Sequence, residues 1–299
     1  MNHGLWTFSP PNPYCFLLPP IPIGGQKANY PLMPKTNVMN ILQDTRLRLV
    51  QWKDLTNLSL KETFIENTIS IPWLALSLLL AYWHWYIAAL PFSFLFFLTG
   101  LRQVHNAFHY TLGTSKAATD TTIVINSILM LTAMHAVKYN HAHHHKYCMQ
   151  EADVEGYCAK MGAVQAFFYG PVYIYRQHST AFKKANKSTV RYMYIELLLA
   201  AIFVAVVFSL HIGFLQYHII VMAAGECCTA FFAVWTVHHG CDEEVFAHTL
   251  SNRWKNRFTY NMFYHLEHHL FPKVPTIKLP ELSKRLKEAC PDLQAKEVF

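Results

Sequence analysis

Long apolar runs alternate with basic connections along this chain. The runs cover about 69–87, 90–110, 193–212 and 216–238, each near the roughly 20 residues that carry an α-helix across a bilayer. No Lys or Arg occurs between Pro72 and Leu101 or between Tyr192 and Asn252. The members of each pair are therefore joined by a short charge-free turn, the first near Pro91, while the long connections are basic. A charge at the bilayer centre costs at least about 2.5 kcal/mol, and basic loops stay on the cytoplasmic side. The pattern predicts an all-α integral membrane protein with four transmembrane helices in two hairpins and both termini cytoplasmic. A shorter apolar stretch, Ile123 to Ala136, is too short to cross and predicts a re-entrant or packed helix. Residues 1–39 read as an irregular Pro-rich tail and 40–68 as an interfacial amphipathic helix with a capping box at Ser59 and Glu62. Residues 69–279 form the membrane catalytic domain. Pro280 opens an amphipathic helix within 280–299, with Leu282, Leu286 and Ala289 on one face.

Composition sharpens this reading. Hydrophobic residues make up 53 % of the chain and charged residues 14 %, against roughly 25 % charged in soluble domains. The net charge of +7 comes from residues flanking the apolar runs, which suits anionic headgroups. No compact basic module with stacking aromatics stands apart, which excludes nucleic acid as a partner. The seven cysteines show no CxxC spacing and no disulfide framework, and read as ordinary thiols.

The candidate chemistry lies in the 18 histidines. His105 and His109 stand in HNAFH; His141, His144 and His145 in HAHHH; His265, His268 and His269 in HLEHH. On a helix, residues at i, i+3 and i+4 share one face, so each cluster aims its imidazoles into one volume. If Ile123 to Ala136 does not cross, all three clusters meet on the cytoplasmic side in a helical cap. Eight imidazoles are too many for one ion and suit two. A zinc hydrolase would use about three protein ligands and a water, whereas four or five imidazoles on each of two ions leave room for oxygen and point to iron. A metal-binding transporter would instead gather its ligands near the bilayer midplane.

HNAFH, HAHHH and HLEHH followed by Leu270, Phe271 and Pro272 resemble the three histidine boxes of the membrane fatty acid desaturase and hydroxylase superfamily. The resemblance runs from about residue 69 to the end. It implies a non-haem di-iron site of two iron ions with dioxygen as co-substrate, bound by His105, His109, His141, His144, His145, His265, His268 and His269. A ninth ligand is implied at the end of the fourth span, where His239 is the expected residue and His238 the alternative. The three residues between the histidines of the first box resemble the plant, bacterial and carotenoid-modifying branches.

Around these ligands, His143, Asn106, Asn140, Asp153, Glu155, Asp242 and Glu267 are candidates to orient imidazoles through their second nitrogen, with His135 nearby. Glu196 and Glu226 lie inside spans, where a carboxyl faces protein; Glu226 pairs with a polar neighbour or lines a substrate channel. Trp73, Phe94, Phe96, Phe97, Phe231, Phe232 and Trp235 are candidate channel lining. The expected reaction is acyl-chain desaturation with oxygen. Alternatives are hydroxylation or ketolation of a carotenoid, sterol or alkane, decarboxylation of a fatty acid to a terminal alkene, and zinc-dependent hydrolysis. No HPGG haem segment or cysteine array is evident, so electrons are expected from a ferredoxin or cytochrome b5 with its reductase.

Overall fold

A computed structural model describes residues 41, 44–250, 252–293 and 295–298, so the tail read over 1–39 lies outside the described residues. The described chain is helical apart from β1 (His248–Thr249) and β2 (Lys296–Glu297), which pair in parallel with His248 opposite Lys296.

Regular α-helix begins at Ser59. Its hydroxyl accepts from the Glu62 N–H, and the Glu62 carboxylate accepts from the Ser59 N–H at 2.9 Å, forming the expected capping box. The segment ahead of it is not the continuous interfacial helix that the sequence suggests. Two 3-10 turns, Thr45–Leu49 and Lys53–Thr56, are each closed by extended backbone, at Val50 and Asn57. Val50 and Leu55 are instead buried in a core with Leu282 and Leu286, so burial sets the path there.

α1 (Leu60–Thr68) and α2 (Ile71–Tyr82) lead into α3 (Tyr86–Phe108). The turn falls at Trp83–Trp85, not near Pro91, which lies inside α3. There its ring removes the backbone bond to the Ile87 carbonyl. α8 (Lys187–Ser209) and α9 (Gly213–Glu226) form the second hairpin. Each hairpin reverses through a histidine in the left-handed region, His84 at φ 62° and His211 at φ 55°.

Leu60–Tyr82, Tyr86–Phe108 and Lys187–Ser209 are long and apolar enough to cross a membrane. Two bent pairs also qualify by length and composition. One is α4 (Lys116–Met130) with α5 (Met134–Tyr147), turning by 113°; the other is α9 with the helix after it, turning by 46°. That second helix is a π-helical turn, Ala230–Trp235, running into α10 (Thr236–His238). Ile71, Leu79, Ile87, Leu198, Ile202 and Val206 are exposed along these helices, an apolar surface suited to lipid. Between the hairpins, Ser93 bonds Ser77 at 2.7 Å and Tyr217 at 3.0 Å, tying α2, α3 and α9 together.

The reversal between α4 and α5 aims the second histidine cluster. Leu131 takes φ 60°, and the N–H groups opening α5 find side-chain acceptors. Ala133 donates to His178 Nε2, Met134 to Ser127 Oγ and His135 to Glu196 Oε2, each at 3.1 Å. The His135 ring also bonds Glu196 Oε1 at 2.6 Å. A buried carboxylate from α8 thus caps α5, where the helix dipole favours negative charge. α6 (Ala163–Phe168) and α7 (Gly170–Lys184) follow, and Asn140 pins α5 to α7 through the Gln177 carbonyl at 2.8 Å.

α11 (Arg253–Phe258), α12 (His265–Leu270) and α13 (Leu279–Ala289) complete the chain. Two cores result. One gathers Phe96, Phe97, Val104, Ala107, Ile123 and Met222; the other gathers Phe246, Leu266, Leu270, Leu282 and Leu286. The histidines of α3 and α12 share helices with residues of both. Replacing Glu196 by Ala removes the cap of α5 and strands the His135 ring, at a cost of about 1–3 kcal/mol. A lowered unfolding midpoint of the detergent-solubilised variant is the expected result.

Candidate metal centre

Four helical ends converge. α3 brings His105 and His109, α5 brings His141, His144 and His145, α10 brings His238, and α12 brings His265, His268 and His269. All are buried except His105, which is half-buried. They sort into two groups. Donor atoms of His105, His109, His141, His145 and His268 lie within 4.8 Å of one another, as do those of His144, Cys148, His238 and His269. His265 Nε2 joins the second group, 2.9 Å from His238 Nε2 and 3.2 Å from His269 Nε2.

The contacts inside each group are between Nε2 atoms. His109 meets His141 at 3.0 Å and His145 meets His268 at 3.0 Å; His144 meets His238 at 3.0 Å. Their outer nitrogens assign the protons. His141 Nδ1 donates to Glu155 Oε1 at 2.9 Å, His144 Nδ1 to Asp153 Oδ2 at 2.8 Å, and His238 Nδ1 to the Phe246 carbonyl at 2.7 Å. A carbonyl only accepts, so the proton of neutral His238 sits on Nδ1. Its Nε2 therefore faces His144 and His265 with a lone pair. His105 Nε2 is buried with no hydrogen-bond partner.

Lone pairs facing one another at 3 Å repel unless a cation lies between them. Two nitrogens each roughly 2.1 Å from one ion, at right angles about it, are about 3 Å apart. Both groups thus fit a metal ion. Burial and the neighbouring imidazoles hold His265, His268 and His269 well below the ordinary histidine range, which keeps them neutral as ligation requires. Burial pushes Asp153 up, but the His144 ring and the N–H groups of Gly156 and Met149 hold it at about 2, so it remains an anionic acceptor.

The structure separates the residues expected here. The eight box histidines come together. Of the pair ending the last helix, His238 joins the centre, correcting the expectation for His239. His239 turns away, its Nδ1 on the Trp235 carbonyl at 3.0 Å and its ring stacked on Trp235 at 4.1 Å. Asp153 and Glu155 orient imidazoles, but the other candidates do not. His143 bonds back to the Tyr139 carbonyl, and Asn140 serves α7. Asp242 caps its own turn through the N–H groups of Glu244 and Val245. Glu267 accepts from Thr249 at 2.7 Å and Ser283 at 2.6 Å, fastening α12 to β1 and α13. His135 belongs to Glu196.

Sequence reasoning missed three contributors. Glu66 is fully buried, receiving Arg102 Nη2 at 2.5 Å and Asn106 Nδ2 at 2.7 Å. Asn106 Oδ1 in turn accepts from Thr276 at 2.6 Å, clamping the end of α3 to the chain beyond α12. No local pattern announces Glu66. Cys148 lies 3.8 Å from His144 Nε2; its i+4 spacing from His144 was the available signal. The Phe246 carbonyl is backbone and carries none.

A cavity of about 90 Å³ reaches the centre, lined by His105, His141, His265 and His268 at the metal groups and by Val104, Phe108, Val137, Phe232, Ala233 and Val237 elsewhere. Of the aromatic residues expected to line a channel, Phe232 does. Phe96 and Phe97 are in the core, Trp73 stacks on Phe92, Phe94 packs edge-on against Phe232, and Phe231 stacks on Trp235.

The family model described as fatty acid desaturase matches residues 81–298. No curated protein matches the chain. Replacing Asp153 by Asn removes the anionic acceptor at His144 Nδ1 and is expected to weaken metal retention about 10–100-fold. Elemental analysis of the purified protein checks this, with His239→Ala expected to retain the metal content of the unaltered chain.

Proposed function

This chain belongs to the fatty acid desaturase family, and from that premise we propose that it is a di-iron enzyme using dioxygen to oxidise a lipid hydrocarbon chain, with acyl desaturation as the reaction. The observation that carries the reading is the convergence of imidazole nitrogens in a group of five histidines and a group of four. His105, His109, His141, His145 and His268 would hold one iron; His144, His238, His265 and His269 the other. Bound there, the pair supplies oxidation of an unactivated C–H bond, which no side-chain acid or base can perform.

The chain's own residues do the rest. Glu155 and Asp153 keep the protons of His141 and His144 on Nδ1, leaving each Nε2 free to ligate. The Phe246 carbonyl does the same for His238. Val104, Phe108, Val137 and Phe232 line a cavity that suits an alkyl segment and excludes bulk water from the centre.

The proposed topology is four spans, α1–α2, α3, α8 and α9–α10, with α4–α5 re-entrant and the histidines in a cytosolic cap beside both termini. Residues 69–279 would be the catalytic domain. The 113° turn between α4 and α5 supports a segment that enters and returns. An external ferredoxin or cytochrome b5 would deliver electrons, so the purified protein is expected to show no turnover with NADPH alone.

The decisive experiment compares lipid extracts by mass spectrometry from cells expressing this chain and its His144→Ala variant. A product two hydrogens lighter, absent from the variant, is expected. An added oxygen would assign a hydroxylase, and a lost carboxyl a decarboxylase. Zinc in the purified protein with oxygen-independent activity would overturn the reading in favour of a hydrolase.

A further inference from the structure

Glu226 and Thr229 are among the polar side chains of the cavity lining, with Arg102, Thr132, Glu155 and Thr276. Glu226 closes α9 and Thr229 stands in the break before the π-helical turn. Both line the cavity, at 6 % and 7 % exposure. Glu226 Oε1 and Thr229 Oγ1 have no hydrogen-bond partner among the described residues. The other buried helical glutamates differ. Glu66 engages both oxygens with Arg102 and Asn106, Glu196 with His135, and Glu267 with Ser283 and Thr249. Among the described residues Glu155 also keeps one unpartnered oxygen, but its other oxygen accepts from His141, whereas Glu226 Oε1 stands unpartnered at the cavity with no imidazole on the carboxyl.

The break itself is held by an unusually close contact. A Cβ at Gly170 would lie 1.6 Å from the Cys227 carbonyl oxygen, so only glycine lets α7 approach there. The packing keeps Glu226 and Thr229 at the cavity instead of letting α9 run straight. π-helical turns of this kind recur at functional sites.

We propose that Glu226 and Thr229 form a subsite for a hydroxyl carried on the substrate's hydrocarbon chain, so that the preferred substrate is a hydroxylated lipid and not a plain acyl chain. This rests on the reading of the centre as a lipid-oxidising one. A plain chain would leave Glu226 Oε1 and Thr229 Oγ1 unpartnered, at the desolvation cost of an unsatisfied polar group. A hydroxyl donates to Glu226 Oε1 and accepts from Thr229 Oγ1, satisfying both. It also fixes register: an alkyl chain slides in an apolar cavity, and one hydrogen-bonded point sets which carbon rests beside His105, His141 and His268. Sites built around a substrate hydroxyl reject the analogue lacking it more strongly than apolar pockets separate one methylene from the next.

The test is equilibrium binding to the full-length, metal-loaded protein in nanodiscs, with stearic acid and the positional isomers of hydroxystearic acid as probes. At least one isomer should bind about tenfold or more tighter than stearic acid. Glu226→Leu should abolish that preference with stearic acid affinity unchanged or improved, while Thr229→Val should reduce it and Glu226→Gln retain part of it. Equal binding of all probes, or a preference that survives in Glu226→Leu and Thr229→Val, overturns the subsite. Binding is read without turnover, so the two proposals fail separately. An intact preference with no oxygen-dependent product would sink the oxidase reading alone, whereas oxidation of stearic acid without any preference would sink the subsite alone.

Discussion

Imidazole nitrogens are crowded into two groups within 4.8 Å of one another, and that crowding is the constraint on which the rest of the structure depends. Holding nine rings in so small a space requires every helix that carries them to be fixed from outside the centre. α3 is fixed by Glu66, Arg102 and Asn106, α5 by Glu196 and Gln177, and α12 by Thr249 and Ser283. The ring orientations are then set by Glu155, Asp153 and the Phe246 carbonyl. These polar contacts lie between two apolar cores, where low dielectric strengthens each of them.

The helical class and the three histidine boxes were legible because both rest on short-range periodicity. A charge-free run of helical length and an i, i+3, i+4 spacing need no tertiary information. The ninth imidazole was misjudged for a physical reason. The π-helical turn at Ala230–Trp235 bonds i to i+5 instead of i+4, so the phase of the next two residues cannot be extrapolated from an α-helical period. His238 and His239 exchange roles as a result. The position of the first turn was misread because Pro91 looks like a breaker, yet α3 runs through it. Glu66 and Thr276 reach the site through long-range hydrogen bonds, which leave no trace in local sequence.

The acidic residues near the boxes show the same division. Asp153 and Glu155 meet His144 and His141 because the chain folds back just after α5. Asp242, equally acidic and closer in sequence to a histidine, spends its carboxylate on its own turn. Proximity to a motif does not separate them; the direction of the following backbone does. Glu196 shows how far a role can lie from expectation, since a carboxyl inside an apolar run turns out to cap a helix belonging to another part of the chain.

The placement of α12 carries a consequence for how the protein is made. His268 belongs to the first group of histidines, and His265 and His269 to the second. A ribosome that stalls before residue 265 therefore leaves both groups incomplete, the second reduced to His144 and His238. Neither group can complete its set early and wait for the other. Assembly of both groups is coupled to synthesis of the segment through His269, so a chain not yet extended that far offers neither group complete.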